Sequence, residues 1–156
     1  MSDRPEFHRA SPEALEAMMA VSRYAGASSI EHSLAELLKI RASQINGCAN
    51  CLHMHTADAR KAGESEARIY LLSAWRESKM YTARERAALA WTEALTLVGN
   101  GHPSEETRAA LEAAFSPREQ ADLTLMICVI NSWNRIAVGY GIVHPNDRAH
   151  EAKAAA

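Results

Sequence analysis

The chain has 156 residues, 47% of them hydrophobic and 23% charged, with a formal net charge of -2. That length and balance suit one domain with a sizeable core and exclude a disordered chain. Mixed charges without a basic excess exclude an electrostatic footprint for nucleic acid or an anionic membrane, and the apolar run Leu125 to Ile130 is far too short to span a bilayer.

In chain order, Met1 to Glu6 carries no apolar run, so no secretory signal is expected and the protein is placed in the cytoplasm. Ser11-Pro12-Glu13 opens a first helix, with Pro12 at its first position, and Gly26 ends it after Ala25. Ser28 and Glu31 fit a capping box for a second helix over about 29–45, whose apolar stripe is Ile30, Leu34, Leu37, Leu38 and Ile45. Arg41 lies near the centre of that stripe, so it either snorkels out or meets a buried acid. Asn46-Gly47 closes the helix, and Asn46 is also placed to cap the next one. A third helix runs from about Cys48 to Ala62 and stops at Gly63; Ser65 caps a short fourth carrying Ile69, Leu71 and Leu72. Thr82 and Glu85 box a fifth over about 83–98, followed by a Gly99-Asn100-Gly101 turn. Ser104 caps a sixth over about 105–114, and Ser116-Pro117-Arg118-Glu119 opens a seventh running to about Tyr140. The Ala-rich tail over 150–156 is expected to fray. No segment alternates as a strand does, so the chain reads as all-α, a single-domain bundle of six to seven helices over 1–156. Residues 123–130 are apolar on every side of the last helix, which calls for enclosure by the core, by a second subunit, or by both.

The run Cys48-Ala49-Asn50-Cys51-Leu52-His53-Met54-His55 carries the chemistry. At about 100° per residue, Cys48, Cys51, Leu52, His55 and Ala59 share one helix face, and His53 points to the other. Thiols one turn apart can form a disulfide, which closes so short a loop that it is expected to be reducible. The helix N-terminus, and the imidazole of His55 one turn beyond Cys51, should both favour the reactive thiolate. Three cysteines in a reducing compartment make no structural framework, so the pair is redox-active, metal-binding or, least interestingly, two small hydrophobes. Zinc would need a fourth ligand from His32 or Glu36. Cys128 reads as core, and Trp133 as packing or the wall of a pocket. On the wheel Glu36 lies well off the apolar stripe, near Lys39 and Ile40, and periodicity alone makes it a solvated carboxylate.

The pattern Glu36-x11-Cys48-x-x-Cys51-x-x-x-His55, strongest over about residues 28–63, resembles the motif of the alkylhydroperoxidase AhpD-like proteins within the carboxymuconolactone decarboxylase superfamily. Asn131-Ser132-Trp133-Asn134-Arg135 in the last helix, about 117–140, looks like a frequent companion of that motif. The resemblance implies an oligomeric all-α fold, commonly trimers or hexamers, and peroxidase or disulfide-reductase chemistry with no metal or organic cofactor. By position it makes Cys51 the peroxide-attacking thiol, Cys48 the resolving thiol that meets a dithiol reductant, His55 the proton relay and Glu36 the group that orients His55. Asn50 departs from members that place His or Tyr there, and cannot relay a proton as those residues do. The helix dipole alone would favour Cys48 as the attacking thiol. The rival readings are a zinc-binding or redox-sensing protein, and a decarboxylase-like enzyme acting on a small cyclic acid.

Overall fold

Hydroxyl caps set four of the helix starts, at Ser65, Thr82, Ser104 and Ser116. The computed structural model describes residues 6–154; the reading of Met1 to Pro5 as lacking a leader, and the last two alanines of the tail, lie outside the described residues. Helix α1 (Phe7–Ala10) leads into α2 (Pro12–Gly26), α3 (His32–Asn46) and α4 (Ala49–Lys61). Helix α5 (Glu66–Leu71) runs on into a 3-10 turn at Leu72–Ala74, and α6 (Ala83–Thr96) is followed by another at Val98–Asn100. Then come α7 (Glu105–Ala114), α8 (Pro117–Tyr140) and α9 (Pro145–Ala154). Among the described residues there is no strand, and no helix is long and apolar enough to cross a membrane. The Thr82/Glu85 and Ser116/Glu119 capping boxes form in full, and Ser65 and Ser104 each accept the backbone N–H three residues on.

Three expectations about the helices fail for local reasons. The Ser28/Glu31 box does not form: α3 starts at His32, Glu31 makes no side-chain cap bond, and its carboxylate instead accepts from Arg84 Nε at 2.9 Å. A charge-assisted pair of that kind outcompetes a neutral cap. Asn46 does not cap α4; its amide is drawn away to Asn131 and Asn134 on α8, and the thiol of Cys48 takes the cap position. The chain beyond His150, expected to fray, continues as helix to Ala154. Alanine-rich sequence forms helix by local propensity without an apolar stripe, which is why periodicity passed α9 over.

Helix α3 sits at the centre, packed by α4, α6 and α8 on different sides, while α2 lies on α8 and α7 on α6. Its consecutive residues Leu34 to Leu38 are all buried, an arrangement that no single apolar stripe can produce. Leu37, Leu38, Leu72, Leu89, Leu123 and Ile127 form the middle of the core, each 1% exposed or less. Arg41 meets an acid, though a half-buried one: its Nε donates to Glu93 Oε1 at 2.7 Å, and the indole N–H of Trp75 donates to the same oxygen at 2.8 Å. Helix α8 is enclosed on most of its apolar span, yet Cys128 on it is exposed. The reading of that residue as core is corrected.

Candidate active site

The site is built on the two-residue turn between α3 and α4. Gly47 ends α3 with φ 64, a left-handed conformation that a Cβ would strain, and so turns the chain directly into α4. Cys48 is the N-cap of α4, and its Sγ accepts the backbone N–H of Cys51 at 3.4 Å. The Sγ atoms of Cys48 and Cys51 stand 2.7 Å apart, both cysteines free and buried, with Ala137 of α8 packed over them. The spacing therefore does what the sequence implied: it brings both sulfurs to one face at the start of a helix.

Four residues on, His55 is buried and its Nδ1 lies 2.8 Å from Glu36 Oε2. Glu36 is 3% exposed, which overturns its reading as a solvated carboxylate; α4 covers the side of α3 that the apolar stripe leaves. Lys39 Nζ donates to the other oxygen, Oε1, at 2.7 Å, and His32 Nε2 stands 3.9 Å from it. Burial is the largest influence on Glu36 and pushes its pKa up; the hydrogen bonds from His55 and Lys39 outweigh it and hold the carboxyl at about 2. An ionised Glu36 can only accept, so Nδ1 of His55 carries a proton, and in the neutral ring that fixes the lone pair on Nε2, the form a general base needs.

That depressed pKa has a consequence for stability. From pH 4.5 downward the unfolded chain binds a proton at Glu36 that the native protein refuses until about pH 2. The stabilisation is therefore complete above the unfolded value and lost as pH falls through this window, by up to about 3 kcal/mol. Urea midpoints of Glu36→Gln should fall less between pH 5 and pH 2.5 than those of the unaltered protein. Equal losses in the two would show that Glu36 is not held ionised.

Cys51 departs from expectation. It is not made acidic: burial is the main cause that pushes its pKa up, to about 12, and the adjacent Cys48 sulfur adds to it. The amide of Asn134, which offers Cys51 a hydrogen bond, pulls the other way. A helix N-terminus favours a thiolate, but at 2% exposure the lost hydration is the larger effect. Asn134 is fully buried; its Nδ2 donates to Ser43 Oγ at 3.0 Å and its Oδ1 accepts from Asn46 at 2.9 Å. Asn131, one turn away, donates to Thr96 Oγ1 at 3.0 Å. This amide network ties the end of α3 to α8 behind the cysteines. The Asn131–Arg135 segment marked it in the sequence, but spacing did not give Asn134 a partner.

A cavity of about 350 Å³ opens between α2, α3, α4 and α8, and His55 lies on its wall. Met54, Met126, Val129, Ile130 and Trp133 make it apolar; Ser22 and Lys39 are the other polar groups there. Trp133 is thus a pocket wall as well as packing, its indole N–H donating to Ser22 Oγ at 2.8 Å. Neither cysteine lines the cavity, so the base faces it and the sulfurs lie behind. His53, on the opposite side of α4, stacks on His144 with ring centroids 5.3 Å apart and joins no catalytic group. Among the described residues, Glu36, His55 and Asp58 bring ligand atoms within 4.8 Å of one another and could converge on a metal ion. That set contains neither thiol, and Lys39 already occupies one Glu36 oxygen, so it is not the cysteine-ligated zinc site the sequence allowed.

Residues 12–94 match the model of the carboxymuconolactone decarboxylase family. The chain is 43% identical over 141 residues to the uncharacterized protein YdfG of Bacillus subtilis (strain 168), covering 90% of this chain and 96% of that one. Among solved structures it is similar to a protein of unknown function from Agrobacterium tumefaciens, a candidate antioxidant defence protein AhpD, with TM-score 0.89 and 44% identity over 92% of this chain and 99% of that one. It also shares its fold with the debrominase Bmp8, with TM-score 0.77 and 20% identity over 88% of this chain and 75% of that one.

Proposed function

The chain belongs to the carboxymuconolactone decarboxylase family, and on that premise we propose that it is an AhpD-like, cysteine-based antioxidant oxidoreductase that reduces an organic hydroperoxide or hydrogen peroxide. The observation that carries this reading is the contact between the Cys48 and Cys51 sulfurs, one helical turn from a buried Glu36–His55 pair. His55, oriented by Glu36, takes the proton of Cys51, and the sulfur attacks the O–O bond. That bond breaks, the departing oxygen collects the proton from His55 and leaves as alcohol or water, and Cys51 becomes a sulfenic acid. Cys48 then displaces the hydroxyl as water, which forms the Cys48–Cys51 disulfide. A dithiol reductant restores both thiols by two exchanges and is itself oxidised to a disulfide.

The raised pKa of Cys51 fits this scheme rather than opposing it. A thiol that keeps its proton at rest is spared indiscriminate oxidation, and becomes a nucleophile where the base and the peroxide meet. Self-assembly belongs to the proposal: Tyr24, Tyr70 and Val138 stand exposed and would be covered in a trimer or hexamer. The reading is tested by treating the reduced protein with one equivalent of an organic hydroperoxide and locating the bond that forms; failure to join Cys48 to Cys51 would overturn it.

A further inference from the structure

The cavity beside His55 has a polarity pattern that points to a ligand class. Its wall is built from methionines, aliphatic residues and Trp133, and three polar groups interrupt it. The Ser22 hydroxyl is spent, donating to Met18 O at 2.7 Å and accepting from Trp133. His55 has Nδ1 committed to Glu36, which leaves its other ring nitrogen for a ligand. Lys39 gives one N–H to Glu36 Oε1 and meets no other acceptor among the described residues, so two N–H groups of this half-buried ammonium remain. Glu36 itself is not on the wall. A molecule in the cavity therefore meets one ammonium, one imidazole and no carboxylate.

We propose that this cavity binds an amphipathic organic anion, an apolar body ending in a single carboxylate, with Lys39 as counter-ion for the head and the Met54, Met126 and Trp133 surfaces against the body. The volume admits roughly a dozen non-hydrogen atoms at about 30 Å³ each, and lies within the usual range for small-molecule pockets. The ammonium can serve Glu36 and the carboxylate together, since its donors point in different directions. An alkylammonium head has only the free nitrogen of His55 to donate to in this cavity and is repelled by Lys39, whereas an alcohol gains only the neutral part of the interaction. Lys39 is thereby a specificity-determining residue, and it links the pocket to the relay through the same Glu36 oxygen pair that orients His55. The inference rests on the proposed function only in taking this molecule as the substrate; the binding itself is independent of turnover.

Three ligands with one chain length separate the head group from the body: octanoate, octan-1-ol and octylammonium, each titrated into the reduced protein by calorimetry. Octanoate should bind at least about tenfold more tightly than octylammonium. Lys39→Met should reduce octanoate to the affinity of octan-1-ol, and Lys39→Arg should keep most of the preference. A tryptophan fluorescence change on binding, lost in Trp133→Phe, places the ligand in this cavity. Octanoate binding no tighter than octylammonium in the unaltered protein, a result that needs no variant to fold, would overturn the proposal; so would full octanoate affinity in Lys39→Met. Octanoate selectivity in a protein without cysteine-dependent peroxide turnover would overturn the proposed function and leave this site standing. Turnover without octanoate selectivity would do the reverse.

Discussion

Replacing Cys51 by Ser should lower the rate of hydroperoxide consumption by at least about 10³-fold, whereas Cys48→Ser should still complete a single turnover and stop at the sulfenic acid. The difference follows from the order of events. Oxygen in place of the attacking sulfur is a far poorer nucleophile toward peroxide and is even harder to deprotonate in a buried site. Loss of the resolving thiol leaves the first bond-breaking step intact and blocks only disulfide formation. The unusual feature is how strongly Cys51 holds its proton: with the pKa pushed up to about 12, few molecules carry a Cys51 thiolate near neutral pH without help. A dimedone probe should therefore label Cys51 in the Cys48→Ser protein after one equivalent of peroxide. Label found on Cys48 in the Cys51→Ser protein, with peroxide consumption retained, would reverse the two roles. The N–H that Cys48 Sγ accepts from Cys51 is the interaction that would then be responsible.

The second large effect is expected at the relay. His55→Gln should cost about 10²- to 10⁴-fold at neutral pH, the usual range for loss of a general base. Glu36→Gln should cost about 10²-fold or more by a different route. A Gln amide that donates to Nδ1 forces the imidazole proton onto Nε2, and the ring can then no longer accept from Cys51. Both deficits should shrink as the pH is raised toward 10, because hydroxide progressively does the work of the missing base. A deficit of the same size at pH 7 and pH 10 would assign these residues a structural role instead. Rates in the Glu36 variant are best compared above pH 5, where the acid-linked loss of stability described for the unaltered protein does not intrude.

The sequence made the helix inventory legible because the signals are local. Thr82 with Glu85, Ser116 with Glu119, and Pro12 and Pro117 at first positions act within one turn, and the structure places their helices within a residue or two of expectation. The one-sided placement of Cys48, Cys51 and His55 is local in the same sense. Glu36 was different. Its partners are Lys39 on its own helix and His55, nineteen residues along the chain, and its burial follows from α3 being covered on several sides. A helical wheel assumes one covered face, so it assigned Glu36 to solvent; only the family pattern brought it to the site. The expected acidity of Cys51 failed for a related reason. Helix position is visible in a sequence, but the desolvation that raises Cys51 depends on α8 lying over the turn, with Ala137 and Asn134 supplied from more than eighty residues away. Cys128 shows the converse: on an all-apolar stretch it was read as core, yet its flank of the helix reaches the surface of this chain.

The most direct test of a Cys48–Cys51 redox pair is stoichiometric. The fully reduced protein is mixed with one equivalent of an organic hydroperoxide, quenched with an alkylating reagent within seconds, digested and mapped by mass spectrometry. The expected product is an intramolecular disulfide between Cys48 and Cys51, formed in step with loss of the hydroperoxide and reversed by a dithiol, with Cys128 recovered alkylated. Recovery of Cys48 and Cys51 as alkylated thiols while the peroxide disappears, or oxidation confined to the exposed Cys128, would contradict it.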